Sequence, residues 1–200
     1  MASVRTQTSR AMRRTWLAFL VPTALLLGAV VAPGAARPSV DQLIQRLKDP
    51  AARVRVAAAD DLGNLGPAAR SAVPALTQAL SDESQFVQIS AARALGQIGP
   101  AAASAVPGLV ETLKDRHTAV RETSALALGS LGPPAQEAIP GLTDALTDRV
   151  AIVRKAAARA LGAMGPAAKG AVPALTDALR DKDPSVRTSA SQALKKIQAR

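Results

Sequence analysis

The chain of 200 residues has no cysteine and no tyrosine, one tryptophan, two phenylalanines and one histidine. Without cysteine there is no disulfide framework, no thiolate nucleophile and no zinc–thiolate site. The single histidine, His117 in "KDRHTAV", has no second histidine or cysteine to join. Metal sites and nucleophile–base pairs need convergent partners, so His117 reads as a solvated turn residue. No glycine-rich phosphate loop is present, because the glycines mark helix ends. The neighbouring carboxylates Asp60 and Asp61 point to different sides of a helix. No catalytic, cofactor-binding or metal-binding residue is nominated, and the chain reads as non-enzymatic with no cofactor.

Acidic residues are also missing from positions 1–36. That stretch carries Arg5, Arg10, Arg13 and Arg14, then an apolar run from Trp16 to Ala32, then the small residues Gly34, Ala35 and Ala36. A basic head, an apolar middle and a small-residue exit describe a secretory signal peptide cleaved after Ala36. The alternative is an uncleaved membrane anchor through residues 16–32, a run at the short end for a spanning helix and interrupted by Pro22. "RRTWLAFL" is also similar to a twin-arginine export signal. Localisation is therefore expected to be periplasmic or secreted, or else anchored at the membrane. The leader takes four of the twenty-five basic residues and none of the fifteen acidic ones, so the net charge falls from +10 to +6 on cleavage. Attraction to polyanions weakens accordingly.

What the chain has in abundance is repetition. "GPAARSAVPALTQALSD", starting at Gly66, returns with small changes at Gly99, Gly132 and Gly165, each step being thirty-three residues. Asp49, Asp82, Asp115, Asp148 and Asp181 keep that step, and so do Val54, Val87, Val120, Val153 and Val186. Such a period signals a solenoid or array. Each unit reads as two helices. The first places Val54, Ala58, Leu62 and Leu65 on one face, with matching sets in the later units. Gly-Pro stops that helix. The second carries Val73, Leu76 and Leu80; Pro74 inside it predicts a short turn over Pro67–Ser71 before the main helix, or one kinked helix. Alanine fills much of both helices, and one unit has too few large apolar side chains to stand alone, so stability must come from stacking.

"DPAARVRVAAADDLGNLGPAARSAVPALTQALSD" resembles a HEAT repeat of the phycobilin-lyase-like subtype, and the likeness runs from Val40 to Ile197. Ankyrin and tetratricopeptide repeats have similar periods, but the T-P-L-H phrase of the first and the bulky aromatic positions of the second are missing. The resemblance implies an all-α fold, a right-handed α-solenoid of stacked antiparallel helix pairs whose second helices line the concave surface. The expected organisation is a leader at 1–36, a half-repeat at 37–48, repeats at 49–81, 82–114, 115–147 and 148–180, and a polar capping helix at 181–200. HEAT-like proteins include iron-dependent hydroxylases built on His-Glu pairs, but Thr118 follows His117 here.

Two charged columns are candidate sites. Asp49, Asp82, Asp115, Asp148 and Asp181 are followed six residues later by Arg55, Arg121, Arg154 and Arg187, with Gln88 breaking the series. Their even spacing predicts a structural ladder, each Asp bonding loop amides or the Arg of its own or the next unit. Glu111, Asp144 and Asp177 share a column on the second helix, with Lys114 and Arg180 three residues on. They form either a partner-binding band or ordinary i,i+3 pairs on a solvated face. Asp61 replaces the alanine of its column and is expected to reach water or a basic neighbour at a less covered terminal unit. Phe86 reads as a packing residue, with a hydrophobic contact point as the alternative. Repeat arrays recognise partners along the concave face. The sequence therefore favours an exported scaffold for another protein, expected to be a monomer, with no nucleic acid expected and membrane contact only through 16–32 if uncleaved. Alternatives are a bilin-lyase or hydroxylase-type enzyme or accessory, and a polyanion-binding module.

Overall fold

The computed structural model describes residues 38–199. The leader expected at 1–36 lies outside them. Among the described residues there are ten α-helices and four 3-10 segments and no strand, and no helix is long and apolar enough to cross a membrane. The first-type helices are α2 (Ala52–Asn64), α4 (Gln85–Ile98), α6 (Thr118–Leu131), α8 (Ala151–Met164) and α10 (Pro184–Gln198). The second-type helices are α1 (Val40–Arg46), α3 (Val73–Ala79), α5 (Val106–Thr112), α7 (Ile139–Ala145) and α9 (Val172–Ala178). They alternate along the chain, and each first-type helix packs on its neighbours in the adjacent repeats. This is an all-α solenoid.

The predicted turn before the proline is a 3-10 segment. Gly66–Ala72, Gly99–Ala105, Pro133–Ala138 and Gly165–Ala171 each lead into an α-helix whose second residue is proline. Proline is tolerated there because the first-turn N–H has no helical partner. Gly66, Gly99, Gly132 and Gly165 hold φ between 56° and 71°, a conformation that stops the first helix without the cost a Cβ would bring. At the amino end Ser39 and Gln42 form a reciprocal capping box on α1.

The core is one continuous strip of alanine, leucine, valine and isoleucine between the two helix layers. Val87, Ala91, Leu95 and Ile98 are fully buried, as are their equivalents in the next repeat, Val120, Ser124, Leu128 and Leu131. The first repeat departs from its expected face: Val54 is half-buried and Leu65 is 36% exposed. Among the described residues no first-type helix covers that flank of α2, which removes the neighbour that buries the equivalent positions elsewhere.

The two layers are spaced differently. A Cβ built on Gly63, Gly96, Gly129 or Gly162 would lie 2.9–3.0 Å from the Cα of Ala94, Ala127, Ala160 or Ala193 on the next first-type helix. Those helices therefore meet backbone to backbone, as small residues allow. In the second layer a Cβ on Gly108 would meet side-chain ends, Leu80 Cδ1 and Thr77 Cγ2, and one on Gly141 would meet Leu113 Cδ1 and Val110 Cγ1. A leucine-length gap separates the helices there. A stack with one tightly spaced layer turns toward that layer. The inner side of the turn is thus the first-helix layer, whereas the resemblance led us to expect the second helices there. Asp61, in the alanine column, is exposed because no glycine presses on it among the described residues. Lys195 stands in the glycine column on α10, where its side chain blocks a further backbone contact of this kind.

Gly129→Val should cost about 1–3 kcal/mol, since its branched side chain must displace backbone rather than a flexible end. Gly170→Ala, with nothing within 4 Å of its Cβ, should be neutral or gain up to ~1 kcal/mol by restricting the unfolded chain. Urea unfolding of both variants checks this, and equal effects would mean that the Gly–Ala contact does not set the spacing.

Candidate functional site

The Asp–Arg columns form struts that connect successive loops. Arg55 donates from Nε to Asp82 Oδ2 and from Nη2 to Asp82 Oδ1, both at 2.8 Å. Its Nη1 donates to the carbonyls of Asp49 and Pro50 in its own repeat. Arg121 reaches Asp148 at 2.7 and 3.1 Å, and Arg154 reaches Asp181 with both bonds at 2.7 Å. Each guanidinium therefore holds its own loop by carbonyls and the next loop by a forked carboxylate, the geometry that gives arginine its strongest pairs. The same Asp Oδ1 accepts from the backbone N–H two residues on, at Ala51, Ser84, His117, Val150 and Asp183, each of which is the N-cap residue just before a first-type helix. Arg187 keeps only the bonds to its own loop, the carbonyls of Asp181 and Lys182.

The electrostatics follow from this geometry. Burial pushes the Asp82 and Asp148 carboxyls up. Hydrogen bonds from Arg55 and Arg121, the N–H groups of Ser84 and Val150, and attraction to the arginines pull both below the usual carboxylate range. At Asp181 the hydrogen bond from Arg154 is the largest effect, and the net direction is again down. Hydrogen bonds to Asp82 and Asp181 hold the Arg55 and Arg154 guanidiniums above their ordinary value. A carboxylate whose native pKa is depressed stabilises the fold above its unfolded value of about 3.9, and that contribution is lost as pH falls through the native value.

One junction is built differently. Gln88 stands where an arginine would reach Asp115, and among the described residues no arginine bonds to that carboxylate. His117 Nδ1 lies 3.0 Å from Asp115 Oδ1 instead. The same junction carries a buried hydrogen bond of 2.7 Å between Thr112 Oγ1 on α5 and Ser124 Oγ on α6. Alanine occupies the equivalent positions elsewhere, except for Arg46 at the Thr112 position of the amino-terminal half-repeat. The sequence showed the broken arginine column but not the hydroxyl pair, because Thr112 and Ser124 each read as one more small residue in an alanine column.

Glu111, Asp144 and Asp177 lie exposed at one position of α5, α7 and α9, with Lys114 and Arg180 exposed just beyond the helix ends. Glu111–Lys114 and Asp177–Arg180 do not close to salt-bridge distance; the ion pairs among the described residues lie elsewhere. Lys114 and Asp144 line one groove of about 440 Å³, together with Arg116 and Arg149. Asp177 and Arg180 line a second of about 530 Å³, together with Arg149 and Lys182. Both grooves mix charges of the two signs.

A third groove, of about 550 Å³, opens on the first-helix layer. Gly129, Ala160, Gly162 and Ala193 lie along it, and Leu126, Ser130, Ala163 and Gln192 add to its lining. Arg159 and Lys196 are the only charged residues that line it. On the same layer Phe86 is 66% and Ile152 41% exposed, so Phe86 does not pack as expected. Each occupies the second position of its helix and points away from the core, as the 3, 4, 4 spacing Ile152, Lys155, Arg159, Ala163 also does. The signal for this face was present in that spacing, but it is the complement of the core pattern and is read only when the core is already placed.

The HEAT repeat family model matches residues 40–111 and 106–195, together most of the chain. The chain belongs to the HEAT repeat family. No curated protein matches it. Solved structures with the HEAT-like fold do. One is an engineered protein, 27% identical with a TM-score of 0.66, with 80% of each chain covered. Another is the complex of CpcE and CpcF of phycocyanin lyase from Nostoc sp. PCC7120, 28% identical with a TM-score of 0.69, covering 84% of this chain and 68% of that one. A designed armadillo repeat protein in complex with the peptide (KR)4 is 21% identical with a TM-score of 0.66, over 79% of this chain and 81% of that one, and shares the fold alone.

Arg121→Gln, which copies the natural residue at position 88, should cost about 3 kcal/mol by leaving Asp148 without its guanidinium. Gln88→Arg should gain about 1–2 kcal/mol by supplying the missing strut. Wild type should lose the strut contribution as pH falls below the ordinary carboxylate range, while Arg121→Gln loses less of it. Urea unfolding at neutral pH and near pH 3 measures all three.

Proposed function

We propose that this chain is an exported, non-enzymatic HEAT scaffold that binds another protein. The observation that carries this reading is the division of its polar chemistry. The forked arginines are consumed in holding repeat to repeat, and the side chains left over sit around open grooves on the surface. Shallow charged grooves on a rigid array suit recognition of an extended surface. The likeness to a chain of the CpcE–CpcF complex, itself an assembly of two proteins, supports a protein partner. The basic, apolar and small-residue order of 1–36 supports export. With Trp16 and Phe19 in the leader, Phe86 is the aromatic residue left to the mature chain. Interfaces without Trp or Tyr anchors bind modestly, so affinity should be micromolar in class.

Affinity capture with the chain from Arg37, on an envelope extract of the source cell, tests the reading. The retained protein is identified by mass spectrometry and its binding is then measured with both components purified. A control carrying Glu111→Ala, Asp144→Ala and Asp177→Ala locates the contact. Loss of binding in that control places the partner on the second-helix band, and unchanged binding places it on another face. Failure to retain any protein removes the scaffold reading, and a full-length chain found uncleaved in the cytoplasm removes export.

A further inference from the structure

The first-helix layer offers a surface whose chemistry is one-sided. Opposite the core, α8 presents Ile152, Lys155, Arg159 and Ala163 in succession. The register sets Phe86 of α4 and Ile152 of α8 in one row, with small Ala119 of α6 between them. Two exposed apolar side chains thus flank a low position. At the other end of the same face, the groove beside α10 is bounded by Arg159 and Lys196, with Leu126 as its largest apolar wall. Arg93, on this layer too, is already engaged, 3.3 Å from Asp60 Oδ1. The acids on the layer are Asp60, tied to Arg93, the exposed Asp61 beside it on α2, and the half-buried Glu122; none of them lines the groove.

We infer that the first-helix face binds an acidic protein segment in extended form, with apolar side chains on Phe86 and Ile152 and carboxylates at Arg159 and Lys196. The inference rests on the scaffold reading and names its partner by chemistry. Two features of this face select that occupant. The groove's charged lining is cationic throughout, which fits carboxylates and repels basic segments. The exposed Phe86 and Ile152 give an apolar component that a bare polyanion cannot use, and the face has no tryptophan or tyrosine on which bases could stack. Helices in a stack lie ~8–10 Å apart and an extended chain advances ~3.3 Å per residue. About six residues therefore cross from Phe86 to Ile152 along that row.

The test uses fluorescently labelled peptides of about ten residues, long enough to cover that span, titrated with the chain from Arg37. One alternates Glu and Leu, one Gln and Leu, one Lys and Leu. Wild type should bind the Glu–Leu peptide at least ~tenfold more tightly than the other two, and increasingly weakly with added salt. Arg159→Glu with Lys196→Glu should lose at least ~tenfold, and Phe86→Ala with Ile152→Ala should lose severalfold. All four side chains are exposed, and unchanged unfolding midpoints show that the variants fold. If the reversed pair does not fold, Arg159→Gln with Lys196→Gln replaces it. No binding of the Glu–Leu peptide, or equal binding by the charge-reversed variant, overturns the inference. So does competition by single-stranded DNA or polyphosphate as effective as the peptide's own. A captured natural partner that binds the reversed variant unchanged removes this surface and leaves the scaffold reading intact, whereas failure to capture any protein strikes the scaffold reading itself.

Discussion

The backbone contact between Gly63, Gly96, Gly129 and Gly162 and the alanines of the next first-type helix fixes the spacing of that layer. Everything larger follows from it. Helices that close together leave no room for large side chains along the seam, so the seam is alanine and the leucines are displaced to the strip between the layers. The second layer, separated by leucine and valine ends, cannot match the spacing. The array therefore turns toward the first helices, and the side chains opposite the core on that layer converge on one surface. A contact made of the smallest residues thus determines where the large exposed ones, Phe86 and Ile152, are presented.

Close packing of small residues buries little area per residue, so it holds a layer in place without giving it a unique register. The arginine struts supply the register. Each guanidinium is buried and has a fixed fork, and it meets a carboxylate already oriented by a backbone N–H at the start of the next helix. Sliding one repeat along another would strand both charges, which is costly. The struts and the Gly–Ala seam are thus complementary: one opposes separation, the other opposes slippage.

Much of this was legible in the chain. The thirty-three-residue step gave the helix pairs, the Gly-Pro stops and the core positions, because burial on one face of a helix leaves a period in the sequence. The Asp and Arg columns were visible too. Their connectivity was not, since a spacing of six within a repeat and of twenty-seven across repeats are equally regular, and only the fold shows that each arginine uses both. Val54 and Leu65 were misjudged as core for the same reason: periodicity assigns a face but does not say whether a neighbour covers it. The curvature was hidden as well. Whether glycine meets a Cα or a leucine end is a matter of distance, and the letters at positions 63 and 108 are identical.

The junction at Gln88 shows that the repeats are alike in shape but not in bonding. Elsewhere the loops are joined by pairs whose strength depends on an ionised aspartate. Between α5 and α6 the Thr112–Ser124 hydrogen bond carries no titratable group, and it lies in the core rather than at the loop edge. Acid therefore weakens the links at Asp82, Asp148 and Asp181 while sparing this one. A single hydroxyl pair is worth less than a forked ion pair at neutral pH, so the same junction is the weaker one where the struts are intact. The contrast between this junction and the others comes from two substitutions in alanine columns and one in an arginine column. An array built from nearly identical phrases thus acquires a distinct centre, and it lies beneath the stretch of first-helix face between Phe86 and Ile152.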